Sequence, residues 1–329
     1  LTPDGLALAG EVEHVYDPWR YPDDWDVECF CPEGPKMLRR GAWFYMLTAV
    51  GGTAGPPTGH MVIAARSRSI HGPWEHAPNN PQVRTLSREE DWWSRGHATL
   101  VEGPTADDWY LIYHGYERDF WTLGRQCLLE PVRWREDDWF EAMGGDLSRA
   151  FPIPQGGRAL SHGLTLSDDF SGEGLGPQWG FFRPDADAYE RVRLSDGVLH
   201  LQARGEQPRD ASPLFFVTGD LRYRVEVAIE RDAGCRAGLL LFYNDRLYAG
   251  LGFDADGLVM HRYGEERRRR QDIPAGTTRL RLRLENKRHL LTLHYSLDGA
   301  RWTKFDVQME VSGYHHNTAY DFLSLRPAL

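Results

Sequence analysis

The chain has 329 residues, enough for one large or two medium domains, and its 34 Gly, 20 Pro and 12% aromatic content suits strands joined by tight turns. A net charge of −10 argues against nucleic acid and anionic membrane surfaces as partners. No apolar run is long enough to span a bilayer, and no secretory signal is visible.

The first residue is Leu1 rather than Met, which leaves room for a removed targeting segment. Four cysteines, Cys29, Cys31, Cys127 and Cys235, form no evident framework. Cys29 and Cys31 sit two apart on what reads as extended chain, a poor geometry for a mutual disulfide. With no CxxC and no paired His spacing, a zinc site is not expected. Free, buried thiols in a reducing compartment are the simplest account, and a cytoplasmic location follows from them as an expectation.

In chain order, Pro3-Asp4-Gly5 reads as a turn, and Leu6–Leu8 and Val12–Tyr16 read as short strands. Regular patterning starts at Glu33. Gly34–Arg40, Trp43–Val50 and His60–Arg68 alternate as strands, Gly72-Pro73-Trp74-Glu75 begins a short fourth, and Gly51–Pro57 makes an irregular loop. The same order recurs: Gly96–Val101, Trp109–Tyr113, Thr122–Leu129 and Pro131–Trp134. Glu33-Gly34 and Gly96-His97 take matching places about 60 residues apart, the sign of propeller blades whose first strands line a central axis.

Residues 146–163 read as a Pro-, Gly- and Ser-rich linker. From Leu164 a second all-β unit follows, with alternating strands Val198–Ala203, Tyr223–Glu230, Ala237–Tyr243, Leu247–Phe253, Leu258–Tyr263, Thr278–Glu285 and His289–Ser296. Period-two alternation with frequent turns predicts a sandwich or jelly roll. Arg267–Arg270, flanked by Glu265, Glu266 and Asp272, reads as a solvated hairpin. No helix of any length is evident.

Two carboxylates fall in the apolar run Glu28-Cys29-Phe30-Cys31-Pro32-Glu33-Gly34-Pro35. An acid at the head of a strand, among Phe30, Cys31, Pro35 and Met37, loses solvation, and its pKa should rise towards that of a proton donor. The plainer reading is a turn cap or a pair with Lys36. Glu28 lies five residues earlier, so on an extended chain it points to the opposite face unless Pro32 breaks the alternation.

Glu33-Gly34-Pro35, Gly51-Gly52-Thr53, Gly96-His97-Ala98 and Leu123-Gly124-Arg125-Gln126 together resemble glycoside hydrolase family 43, the β-xylosidases and α-L-arabinofuranosidases. The trailing unit is similar to the concanavalin A-like sandwich that follows the propeller in many members. The resemblance implies an all-β protein: the C-terminal part of a five-bladed propeller over 1–145, a linker over 146–163 and a β-sandwich over 164–329. It implies an inverting reaction on xylose- or arabinose-bearing saccharides. An acid and a base then flank the bond roughly 6.5 to 9.5 Å apart, with room for a water.

In that pattern Glu33 is the general acid, and Arg125 binds sugar hydroxyls through its planar fork. His97 lies at the axis, tied through water to a calcium ion; Thr53, in the matching loop, is a candidate substrate contact, and Trp92, Trp93 and Trp121, on loops near the inner strands, are candidates to stack a sugar face. Packing accounts for the tryptophans, a satisfied core histidine for His97, and a pairing with Glu130 for Arg125, as alternatives. Glu28-Cys29-Phe30-Cys31-Pro32 echoes the acid motif of sucrose-cleaving relatives, so fructan or sucrose cleavage is a weaker reading. A non-catalytic carbohydrate-binding or scaffold protein is another.

The family's Pro-Asp base motif is absent, and only two blades with the tail of a third are expected. Two blades cannot close a ring without exposing apolar faces. The expected partners are therefore an oligosaccharide and either further blades of a longer protein or another chain, a homo-oligomer included.

Overall fold

The computed structural model describes residues 1–154, 156, 165–268 and 273–329. Among them the only helices are two short 3-10 turns, Trp121–Leu123 and Ala188–Arg191, and no helix is long and apolar enough to cross a membrane. The chain divides into two compact units. The first comprises Leu1–Arg118 and Arg125–Ala159; the second comprises Asp119–Gly124 and Leu160–Leu329. The linker expected over 146–163 lies partly outside the described residues, at 155 and 157–163.

The first unit holds two antiparallel sheets. One runs β1 (Glu33–Arg40), β2 (Trp43–Val50), β3 (Met61–Ser67) and β4 (Glu75–His76), with β5 (Val83–Arg84) also pairing β3. The other runs β6 (Trp92–Glu102), β7 (Trp109–Glu117), β8 (Gln126–Trp134) and β9 (Phe140–Ala142). These sheets, of five and four strands, are the radial leaves of a partial propeller. Apolar side chains from both, including Leu47, Val62, Leu100, Leu111 and Phe140, share one core. β3 is buried along its whole length, as its unbroken apolar run Met61–Ala65 requires.

Several expected boundaries move. Residues 1–32 contain no strand, so Leu6–Leu8 and Val12–Tyr16 are irregular. Leu6, Leu8 and Val12 are exposed, with no ladder partner to order them. Pro131 does not begin a new strand; β8 runs through it, and β9 forms the outer edge. The strand expected from Thr122 starts at Gln126, because Trp121–Leu123 coils into a 3-10 turn. β6 begins at Trp92, so His97 sits within it instead of opening it.

Cys29 and Cys31 are joined by a disulfide, contrary to the free thiols expected, with their Cα atoms 5.5 Å apart. The chain there is not extended: Cys31 takes φ 32° just before Pro32, and this bend brings the two sulfurs together. Cys127 and Cys235 carry no disulfide.

The second unit is a sandwich. A seven-stranded sheet runs β10 (Trp179–Phe181), β13 (Leu214–Phe216), β23 (Arg326–Ala328), β15 (Ala237–Phe242), β16 (Tyr248–Asp254), β17 (Gly257–Arg262) and β18 (Glu265–Arg268). A second sheet runs β14 (Arg222–Glu230), β19 (Arg279–Lys287), β20 (Leu290–Ser296) and β21 (Thr303–Lys304), with β22 (Met309–Glu310) on β20. β11 (Val192–Ser195) and β12 (Val198–Leu201) make a separate hairpin. In Arg279–Lys287 every second residue is buried, so Leu280, Leu282 and Leu284 meet Leu251 and Phe253 in the core while the arginines face water. The Arg267–Arg270 hairpin is seen through Arg268; 269–272 lie outside the described residues.

His261 on β17 is 7% exposed, and burial pulls its pKa down to about 4. His315, in the same unit, is likewise held at about 4 by burial. Both are neutral in the fold above that value, whereas the unfolded chain protonates them near pH 6.5. Their contribution is complete above pH 6.5 and lost as pH falls towards 4. Urea unfolding of the second unit should therefore give a lower midpoint at pH 5 than at pH 7.5, and His261→Leu should flatten part of that slope. Equal slopes in the two proteins would show that His261 protonates freely in the fold.

Candidate functional site

The candidate side chains gather where the chain bends sharply. Cys31 and Gly34 take positive φ, 32° and 57°, and the register of β1 against β2 shifts between Glu33 and Lys36. Strand alternation thus fails between Glu28 and Glu33, and the opposite-face argument does not apply. Glu28 accepts the backbone N–H of Ala54 at 3.0 Å and lies against Gly52, anchoring the loop that carries Thr53.

The Glu33 carboxylate is 57% exposed, and its Oε1 lies 3.5 Å from His97 Nδ1. The apolar enclosure expected around it is not formed. Instead the acid opens to solvent on one side and meets an imidazole on the other.

His97 has φ 63° and lies within the second of two irregularities in the β6–β7 ladder, at Trp93/Gly96 and Gly96/Thr99. Such bulges re-aim a side chain out of the regular pleat. They turn His97 towards Gly34, whose missing Cβ leaves space for the ring. Gly34→Ala would strain a left-handed position by about 1–2 kcal/mol and drive a methyl into that ring. The expected outcome is a lower unfolding temperature for the first unit, with the Glu33–His97 contact broken. Unchanged melting together with an unchanged His97 NMR titration would refute it.

Two histidines that sequence reasoning did not single out complete the group. His60, just before β3, is 1% exposed. His114, on β7, pairs with Gly96. The rings of His60 and His114 stack at 5.2 Å, and His97 lies 6.3 and 5.7 Å from them between ring centroids. Burial pulls His60 down to about 4, against its contact with the Gly51 carbonyl, and pulls His114 down to about 2. The charges of Arg125 and His97 act on both in the same direction. The signal was available: Gly59-His60 enters β3 much as Gly96-His97 lies in β6, a glycine next to a histidine in each sheet.

Arg125 is exposed and lies in the turn before β8, not on an inner strand. Its charge reaches His60, His114 and Tyr116, and Tyr116 is also bonded to the Thr53 hydroxyl. Glu130 is engaged elsewhere, with the Gly144 N–H, Tyr113 and Arg95. The structure thus brings together Glu33, His97, Arg125 and, through Tyr116, Thr53. Trp93 is buried at 9%, and its indole N–H donates to the Arg88 carbonyl at 3.0 Å. Trp121 groups with the second unit, where it stacks on His315.

Three imidazoles do not suit calcium as direct ligands. That ion takes six to eight oxygens, and among the described residues no carboxylate joins this cluster of potential metal ligands.

The first unit thus carries an acid, an arginine and three imidazoles at irregular points of two propeller leaves, and the second unit is a β-sandwich. The description "Glycosyl hydrolases family 43" matches residues 1–140, and "Beta xylosidase C-terminal Concanavalin A-like domain" matches 167–322. A putative beta-xylosidase of Xylanibacter ruminicola is 27% identical over 336 residues, covering 95% of this chain and 56% of that protein. A non-reducing end alpha-L-arabinofuranosidase of Bacteroides ovatus is 29% identical over 176 residues, covering 52% of this chain and 32% of that one.

The crystal structure of a family 43 protein from Bacillus licheniformis superposes with a TM-score of 0.82 at 22% identity, over 97% of this chain and 63% of that one. Residues 1–140 belong to glycosyl hydrolase family 43. The chain spans between about a third and just over half the length of the two curated relatives.

Proposed function

We propose that this chain carries the proton-donating half of an inverting glycoside hydrolase that acts on xylose- or arabinose-bearing saccharides. The observation that carries the reading is Glu33: a solvent-accessible carboxyl at the bent head of β1, backed by His97 at 3.5 Å and on the same part of the first unit as Arg125. Relatives named as xylosidases and arabinosidases support the substrate class.

In the proposed reaction Glu33 protonates the glycosidic oxygen as the bond to the anomeric carbon breaks. A carboxylate on the far side of the sugar takes a proton from water, which attacks that carbon from the opposite face. The remaining propeller blades, from a longer form of the protein or another chain, supply that base. Arg125 holds sugar hydroxyls with its planar donor fork. His97 bears on the inner side of the Glu33 carboxyl and fixes its direction. Glu33 is preferred to Glu28 because Glu28 already holds the Ala54 amide.

The purified 329-residue chain should show no turnover of an aryl xyloside, and a form that supplies the opposing carboxylate should show it. Turnover by the isolated chain that Glu33→Ala abolishes would place the base within residues 1–329. Saccharide binding without turnover in the completed form would favour a non-catalytic role.

A further inference from the structure

We propose that the second unit carries a binding cleft of its own for a neutral saccharide chain, built around Trp179, Tyr189 and Glu173. Glu33 and Arg125 belong to the first unit, so this is a site separate from the one that holds them. The cleft has a volume of about 420 Å³, within the range that small-molecule sites occupy. Leu175, Val192 and Leu194 add apolar lining.

The local chain leaves this space open and holds its rings in place. Gly174 and Gly176 bring backbone alone: a Cβ at 174 would meet no atom within 4 Å, and one at 176 would strike the Gln178 side chain. Trp179, on β10, donates its indole N–H to Asp168 Oδ2 at 2.8 Å, and its ring meets Phe216 edge-on at 5.2 Å between centroids. Tyr189, in the 3-10 turn before β11, sets its ring edge-on to Phe181 at 5.3 Å. It nevertheless stays 56% exposed. Val192 and Leu194 alternate with the exposed Arg193 and so share one face of β11. Aromatic rings anchored by their neighbours offer a large contact area at little entropic cost on binding.

The mixture of groups selects the ligand class. A sugar ring has a face of C–H groups that lies against an aromatic ring, and a rim of hydroxyls that need acceptors. Glu173 is exposed, and among the described residues no hydrogen bond or ion pair engages it. A carboxylate only accepts, so it suits hydroxyl donors and repels phosphate and uronate groups. The cleft itself asks only for neutral sugar rings. The choice of a xylose- or arabinose-bearing chain rests on the function proposed for the first unit.

The test uses the whole 329-residue chain with xylohexaose as the probe, titrated by calorimetry. Every titration is made in an Arg125→Ala background, which removes the sugar grip assigned to the first unit and should still bind xylohexaose. Tyr189→Ala should weaken that binding by about tenfold, the size of one aromatic stacking contact. Tyr189→Phe, which keeps the ring, should retain most of it, and Glu173→Ala should weaken it as well. Both side chains are exposed, so circular dichroism should not change. Failure to bind either xylohexaose or cellohexaose would overturn the proposal, as would binding that Tyr189→Ala leaves intact. Tyr189-dependent self-association in sedimentation, without saccharide binding, would overturn it too, in favour of a second copy of the chain. Cellohexaose binding in place of xylohexaose, with the same dependence on Tyr189, would uphold the cleft and place the error in the xylose-or-arabinose reading of the first unit.

Discussion

Glu33→Gln, made in a form of the protein that carries the opposing carboxylate, is expected to lower kcat on xylobiose by about 10²–10⁴-fold, the usual contribution of a positioned general acid. The same substitution should cost far less on a dinitrophenyl xyloside. A sugar alkoxide is a poor leaving group and needs a proton as the bond breaks; a dinitrophenolate departs as a stable anion and does not. Gln keeps the shape of the side chain and its contact with His97 but has no proton to deliver. A purely structural Glu33 would depress both substrates alike, through folding or binding. The dependence on leaving group is therefore the decisive reading. Equal losses on the two substrates would remove the acid role from Glu33 and return Glu28 to consideration.

The fold was legible where side-chain periodicity carries the information. Leu280, Leu282 and Leu284 alternate with arginines, and that alternation alone separates the two faces of β19. The repeat of Glu33-Gly34 and Gly96-His97 marked two leaves of a propeller because each leaf reuses one strand order. What the pattern did not carry was the bend.

Pro32 and Gly34 mark Cys-Phe-Cys-Pro-Glu-Gly as a place where alternation can break, but not φ 32° at Cys31, and these angles close the disulfide and remove the alternation on which the comparison of Glu28 with Glu33 rested. His60 and His114 escaped notice for a related reason. They are 54 residues apart in sequence, and only the packing of one sheet on the other stacks their rings. Trp93 and Trp121 drew attention by residue type. Burial of Trp93 against the Arg88 carbonyl shows how an aromatic next to a site more often serves packing.

Glu90→Ala should destabilise the first unit by about 3–5 kcal/mol, the cost of leaving a buried charge without its partner. Arg95 and Glu90 meet at 2.7 Å with side chains only 3% and 10% exposed. The other Arg95 hydrogens go to neutral acceptors: Nη1 donates to the Gly145 carbonyl at 2.6 Å, Nη2 to the Arg84 carbonyl at 2.7 Å and Nε to the Thr85 hydroxyl at 3.4 Å. These neutral acceptors satisfy its hydrogens but not its charge. Glu90 is doubly committed, since its other oxygen accepts the N–H groups of Leu86 and Ser87 at 2.7 and 3.2 Å. Removing it therefore loosens the 86–90 turn as well.

Arg95 immediately precedes Gly96 and His97, at the irregular part of β6. The pair thus anchors the segment that aims His97 at Glu33, and activity in a completed propeller should fall with stability. Two measurements separate charge from packing. The double variant Glu90→Leu with Arg95→Met removes both charges and should be less destabilised than Glu90→Ala alone. Urea unfolding of the first unit reads each value. Glu130 is the competing partner for Arg95; burial raises its pKa, and Arg95 pulls it back. A loss below about 1 kcal/mol for Glu90→Ala would mean that Glu130 carries the charge balance of Arg95, and the double variant would then be the worse of the two.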